Sequence, residues 1–357
     1  MGKELIVVTT QLGNDGAERV LSILMNEWVK SDIKIYVIQV DPEDFKQSYK
    51  LSEEIEVINF KSKFKNRSIL RAQKVIMLTN FLNKHKNATV LSFINRSTLL
   101  LYLCRRFVKN RIVFSERNNP QLKPPQKKLR NLRDQAFCAA DACVFQTNEA
   151  KALFPPKAQE HGTVIINPIN PNLPEKWTGE RRKVVVNASR ITPQKNIPML
   201  IRAFEKFHYD FPEYTLDVYG QGEDEEKVRA MIETLGLSNY VRLCGFAENL
   251  HEQMKDASMY VCSSDYEGIP NSVLEAMALG IPTISTDCPV GGAREVIDGK
   301  NGMLVPVGDD EKLSIAMKKI ASDKEFAKTL SENAYKIRDI YPIDKIAKIW
   351  LDVLFVD

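Results

Sequence analysis

Short apolar runs alternate with helical segments along this chain, stop at a proline-rich stretch, and then begin again. The first series predicts strands at Leu5–Thr10, Ile33–Val40, Ile55–Phe60, Thr89–Phe93, Ile112–Ser115 and Ala142–Gln146. Helical segments separate most of them; Ala17–Lys30 carries Val20, Leu21, Leu24 and Trp28 on one face. Such alternation predicts a parallel sheet covered by helices on both faces. The stretch Asn167-Pro168-Ile169-Asn170-Pro171-Asn172-Leu173-Pro174 then reads as an interdomain linker, because each proline blocks a helix and restricts its neighbour. Strands resume at Lys183–Ser189, Tyr214–Tyr219, Val241–Cys244, Met259–Cys262 and Thr283–Ser285, and the end is helical, broken at Tyr341-Pro342 before Ile343–Leu354. The fold class expected is α/β: two doubly wound halves, with ligands at the carboxyl ends of the strands.

A length of 357 residues suits two domains, and 44% hydrophobic with 27% charged residues is the mix of a globular protein with real cores. The longest apolar stretch, around Thr98 to Cys104, is far short of the roughly 20 residues a membrane-spanning helix needs. The first residues run straight into the apolar segment Leu5–Val8, without the layout of a secretory signal, so a cytosolic location is expected. None of the six cysteines forms a Cys-x-x-Cys pair and the four histidines are scattered, which argues against zinc and for free thiols in a reducing compartment.

The net charge of +4 is unevenly placed. Residues 1–170 hold 27 Lys+Arg against 16 Asp+Glu, while the remainder holds 23 against 30. Within 61–133 there are 19 basic residues and a single acidic one, Glu116. That asymmetry points the first half toward an anionic partner.

Three loop motifs carry candidate chemistry. Gly13-Asn14-Asp15-Gly16-Ala17-Glu18-Arg19 lies between a strand and a helix, where glycine allows close backbone approach and the helix start favours a phosphate. It has neither the dinucleotide Gly-x-Gly-x-x-Gly pattern nor a P-loop Lys, so a plain strand-to-helix turn is equally compatible. Ser189-Arg190-Ile191-Thr192-Pro193-Gln194-Lys195-Asn196 places two cations at a strand end; they suit a diphosphate, or an ordinary solvated loop. The most specific is Ser264 to Gly280, in which Glu267 precedes a Gly268-Ile269-Pro270-Asn271-Ser272 turn and Glu275 lies inside the helix that follows. Carboxylates there suit sugar and ribose hydroxyls and the helix start suits phosphate; the competing reading is a helix whose Glu residues only favour its dipole.

With seven residues between Glu267 and Glu275, this segment resembles the signature of retaining GT-B glycosyltransferases, which build capsules, lipopolysaccharide and glycolipids. The other stations fall in the family's order: Gly13–Arg19, Ala140-Asp141-Ala142 before Gln146-Thr147, Ser189-Arg190 with Gln194-Lys195-Asn196, Gly220-Gln221-Gly222-Glu223, and Gly245-Phe246. The resemblance spans nearly the whole chain. It implies two Rossmann-like domains facing each other across a cleft, 1–170 plus 342–357 on the acceptor side and 171–341 on the donor side, with the last helix crossing back. It further implies that Arg190 and Lys195 neutralise the departing diphosphate, Glu267 contacts the transferred sugar and Glu275 the ribose. Gly16 and Ala17 would lie against the diphosphate, and main chain at Gly245 and Phe246 would border the base. Relatives of this kind need no bound metal, and two fixed cations in place of a metal fit a chain with no Asp-x-Asp. One departure stands out. Several relatives carry a His after the fifth strand, where this chain reads Ser115-Glu116-Arg117-Asn118-Asn119-Pro120, so Glu116 or Arg117 is the donor or acceptor contact expected there.

In the basic half, Lys61, Lys63, Lys65 and Arg67 form one cluster; Lys123, Lys127, Lys128, Arg130 and Arg133, interleaved with Leu129 and Leu132, form another. Such segments suit an anionic membrane surface, at about 1 kcal/mol per basic residue, and a polyprenyl-diphosphate-linked glycan acceptor would explain them. Nucleic acid is the competing anion, but no nucleic-acid-binding module is visible; a solvated basic face without partner is the third option. The expectation is therefore a peripheral enzyme on the inner face of the cell membrane. It would move a hexose or N-acetylhexosamine from a nucleotide sugar, by family habit a UDP-sugar, to a glycan. A nucleotide-sugar-binding scaffold and a GT-B nucleotide-sugar epimerase are the alternatives.

Overall fold

The computed structural model describes residues 2–13, 15–41, 49–60, 66–93 and 95–356. The chain divides into two compact units, Met1–Pro168 with Ile343–Asp357, and Ile169–Pro342. The break after Pro168 falls inside the proline-rich stretch.

The first unit is built on β1 (Lys3–Thr9), β2 (Ile33–Gln39), β3 (Glu56–Asn59), β4 (Thr89–Ser92), β5 (Ile112–Ser115), β6 (Ala142–Phe145) and β7 (Gly162–Val164). All pair in parallel, in the order β3-β2-β1-β4-β5-β6-β7. Leu5, Ile6, Val7 and Val8 of β1 are fully buried, as a central strand covered on both faces requires. Helix Gly16–Trp28 covers one side, and helix Ile343–Leu354 packs on it. Trp28 meets Trp350 edge to face, with ring centroids 6.1 Å apart, and donates its indole N–H to the Ala347 carbonyl at 3.1 Å.

The second unit repeats the plan with β8 (Arg182–Ala188), β9 (Thr215–Tyr219), β10 (Val241–Gly245), β11 (Ala257–Cys262), β12 (Thr283–Thr286) and β13 (Met303–Val305), parallel in the order β10-β9-β8-β11-β12-β13. Its core joins Val185, Leu216, Val218, Met259 and Val261 of the sheet to Phe204 and Phe207 of helix Ile197–Asp210. The order reverses direction at β8/β11, so the loops leaving these two neighbouring strands open apart at their carboxyl ends, where ligands bind in open α/β sheets.

The alternation expected from the sequence is present in both units. The edge strands β7 and β13 were not among the strands expected: each has three residues, too few to show a period of two. No helix among the described residues is long and apolar enough to cross a membrane.

Candidate active site

The two loops at the β8/β11 switch point are tied directly to each other. Asn196 adopts the left-handed conformation (φ 44°), ends the turn Pro193–Lys195, and caps helix Ile197–Asp210 by accepting the Met199 N–H at 3.2 Å. Its amide also donates to Asp265 Oδ1 at 2.7 Å, while Asp265 N–H donates to the Gln194 carbonyl at 2.9 Å. Ser263 Oγ donates to the Lys195 carbonyl at 2.9 Å, and Gln194 Nε2 donates to the Tyr266 carbonyl at 2.9 Å.

This lacing brings the Lys195 ammonium onto Glu267 Oε1 as an ion pair whose side chains are only 17% and 11% exposed. Glu267 also accepts from Ser264 Oγ at 2.8 Å and from Gln194 Nε2 at 3.4 Å. Burial works to lower the Lys195 pKa, but the facing Glu267 carboxylate and nearby Cys262 outweigh it, and the net shift is upward. Arg190, exposed at the end of β8, adds a second positive charge near enough to act on Lys195 in the opposite sense. The site is thus a guarded carboxylate beside two cations, which can take sugar hydroxyls on one side and phosphate oxygens on the other.

Gly268, Ile269 and Pro270 are buried, and helix Asn271–Ala278 starts directly after them. The turn is held from behind by the segment Cys288–Gly292. A Cβ on Gly292 would stand 1.7 Å from the Gly268 carbonyl oxygen, so only glycine permits this approach. Val290, just before it, has φ 70°, a conformation a β-branched residue adopts only under constraint, at about 1–3 kcal/mol. Burial, with the adjacent Glu267 carboxylate, pushes the Cys288 thiol up to about 12. Ser272 lies in the first turn of this helix, and the buried Tyr260 hydroxyl donates to the Ala188 carbonyl at 3.3 Å. Glu275, one turn on, faces His251: Nε2 and Oε2 are 3.0 Å apart. Sequence reading passed over His251, because 24 residues separate it from Glu275 and no short motif joins them. Gly245 ends β10 with φ 66° and receives the Gly220 N–H at 2.8 Å, and Phe246 beyond it is 76% exposed.

In the first unit, Gly16 and Ala17 open helix Gly16–Trp28, and Asn14 lies outside the described residues. The carboxylate of Glu18 folds back to accept the Asp15 N–H at 3.3 Å, and burial raises its pKa. Glu116 is buried and accepts the N–H groups of Arg117 (3.0 Å) and Asn118 (3.1 Å). Arg117 bonds Asn167 Oδ1 and stacks over Phe93 at 4.6 Å, and its Nη1 is buried with no hydrogen-bond partner among the described residues. Burial lowers its pKa to about 9.

Of the basic cluster residues, Lys61, Lys63 and Lys65 lie outside the described residues, and Arg67 opens helix Arg67–Lys84. Arg133 is a correction: expected on a docking surface, it is only 2% exposed. Its guanidinium donates to the Pro120 and Lys123 carbonyls at 2.8 and 2.7 Å and pairs with Asp134 at 2.7 Å, stapling the loop from inside. A guanidinium has five donors, and inward carbonyls satisfy them better than a helix surface could. Arg130 donates to the Pro124 and Pro125 carbonyls at 3.1 and 2.7 Å. Lys127 and Lys128 are exposed, beside exposed Leu122 and Leu129.

Residues 171–337 match the family described as Glycosyl transferases group 1. The chain is 31% identical over 176 residues (48% of its length) to the UDP-N-acetylglucosamine–peptide N-acetylglucosaminyltransferase GtfA subunit of Streptococcus gordonii. It is 31% identical over 219 residues (59% of its length) to the poly(glycerol-phosphate) alpha-glucosyltransferase of Bacillus subtilis. The matched segments cover 35% and 32% of those relatives, so the chain spans about a third of their length. Among solved structures, Anabaena HepE in complex with UDP and glucose superposes with a TM-score of 0.86 at 18% identity, covering 99% of both chains. The chain therefore has the GT-B fold and carries a glycosyl transferases group 1 domain over residues 171–337.

Proposed function

We propose that this chain is a retaining, metal-independent glycosyltransferase that moves a hexose or N-acetylhexosamine from a UDP-sugar to a lipid-linked glycan in surface polysaccharide or glycolipid synthesis. The observation that carries the reading is the buried Lys195–Glu267 pair next to Arg190, held between two interlocked loops inside the family-matched segment. UDP comes from the relatives: the GtfA subunit is named for UDP-N-acetylglucosamine, and the HepE structure holds UDP and glucose.

In this reading Arg190 and Lys195 meet the diphosphate, Glu267 the sugar hydroxyls and Glu275 the ribose. An ammonium has three donors, so Lys195 can keep Glu267 in place while it binds phosphate. The bond from sugar C1 to the phosphate oxygen breaks as a bond from C1 to the acceptor oxygen forms on the same face. The acceptor proton passes to the departing phosphate oxygen, so no protein base is needed. Charge grows on that phosphate as the bond breaks, and fixed cations stabilise it without rearrangement. The two fixed cations can supply the electrostatics that a metal ion would otherwise provide.

Peripheral docking to the inner face of the cell membrane is the second part of the proposal. Lys127 and Lys128 stand in the first turn of helix Lys127–Cys138, where cations oppose the helix dipole, and an anionic surface would offset that repulsion.

A thermal-shift screen of UDP, GDP, ADP and their sugar conjugates, with Mg²⁺ or with EDTA, tests the donor reading. A ligand at a hundred times its Kd adds about 2.7 kcal/mol, roughly 5–10 °C for a unit of this size. The expected result is such a shift with the uridine compounds, equal in EDTA. No shift with any nucleotide would overturn the assignment.

A further inference from the structure

His251 stands outside every motif that suggested the site, yet the fold delivers it there. β10 ends at Gly245, whose carbonyl is pinned by the Gly220 N–H, and the chain turns through Phe246 to Asn249 into helix Leu250–Met254. Met254, 1% exposed, anchors that helix, and His251 reaches across 24 residues to Glu275 at 3.0 Å. An ionised carboxylate only accepts, so the hydrogen of this bond sits on Nε2. The Glu275 side chain is 8% exposed and projects from helix Asn271–Ala278. One ring thereby fixes the carboxylate and joins the helix that carries it to the loop that carries Phe246.

We infer that His251 is a positioning residue for the nucleoside end of the donor: it sets the Glu275 carboxylate in the orientation that receives the ribose diol and holds the Phe246 loop in register with it. This rests on the nucleotide-sugar reading of residues 171–337. The ring itself touches no reacting atom, so its removal acts on binding more than on the chemical step. A longer amide at the same position can restore the bond, because Gln Nε2 donates from nearly the same reach as His Nε2.

The test is calorimetric titration of UDP, GDP and ADP into the wild type, His251→Ala, His251→Gln, Glu275→Ala and the His251→Ala/Glu275→Ala double variant, with kcat and KM for the matching nucleotide sugar. The expected result is binding about tenfold weaker in His251→Ala, the scale of one hydrogen bond to a charged group. KM rises more than kcat falls, His251→Gln recovers most of the loss, and His251→Ala adds little once Glu275 is gone. His251→Gln, which restores the bond, guards against misreading a folding defect. Wild-type binding with His251→Ala unchanged, or a loss in kcat alone, overturns the inference and leaves the site reading standing. A wild type that binds none of the three nucleotides overturns both.

Discussion

Breaking the Lys195–Glu267 pair one side at a time should cost far more than removing it whole. With side chains 17% and 11% exposed, each partner offsets the cost of burying the other's charge. Lys195→Met leaves the Glu267 carboxylate with Ser264 Oγ at 2.8 Å and Gln194 at 3.4 Å, two neutral donors in place of a cation. Removing one member of a buried pair costs about 3–5 kcal/mol, and the retained donors place this variant near 3. Glu267→Gln leaves the Lys195 ammonium facing Arg190, a like charge, and should cost at least as much. The double variant carries no uncompensated charge and should cost less than either single, which is strong non-additivity. Urea unfolding of the four proteins measures the cycle. Single costs below about 1 kcal/mol that simply add would refute the account of this pair as a buried, mutually dependent unit.

Four other outcomes are expected. Gly292→Ala must displace the Gly268 carbonyl, 1.7 Å from the new Cβ, and should cut turnover about a hundredfold, the scale of a 1 Å misplacement, as steady-state kinetics would show. Lys127→Ala/Lys128→Ala should weaken salt-sensitive sedimentation with anionic vesicles, whereas Arg133→Ala should lower the melting temperature, because its guanidinium holds the loop from inside. The Cys288 thiol, pushed up to about 12, stays protonated through pH 9; iodoacetamide at pH 8 should spare it in native protein and label it after unfolding, as peptide mass mapping would reveal.

The fold was legible because buried parallel strands must be apolar runs, as Leu5–Val8 and Val184–Val186 are, and because prolines mark where the first series stops. The site was legible where its residues are neighbours in sequence, as Gln194-Lys195-Asn196 and Ser264 to Glu275 are. The pairing of Lys195 with Glu267 spans 72 residues, and that of His251 with Glu275 spans 24; both are products of strand order, which no local spacing records. Arg133 misled for a related reason. A basic residue among basic residues reads as surface, and only the path of the 116–125 loop shows the carbonyls that turn it inward.

The most direct test of the donor-site claim is to incubate the protein with UDP-, GDP- and ADP-sugars in EDTA, with water as the acceptor, and quantify the nucleoside diphosphate released by hydrolysis with wild type and with Lys195→Ala. Release from the uridine donors is expected with the wild type, reduced at least about a hundredfold in the variant, the scale of losing a preorganised charge at a developing anion. No release from any donor, or equal release by Lys195→Ala, would contradict the claim.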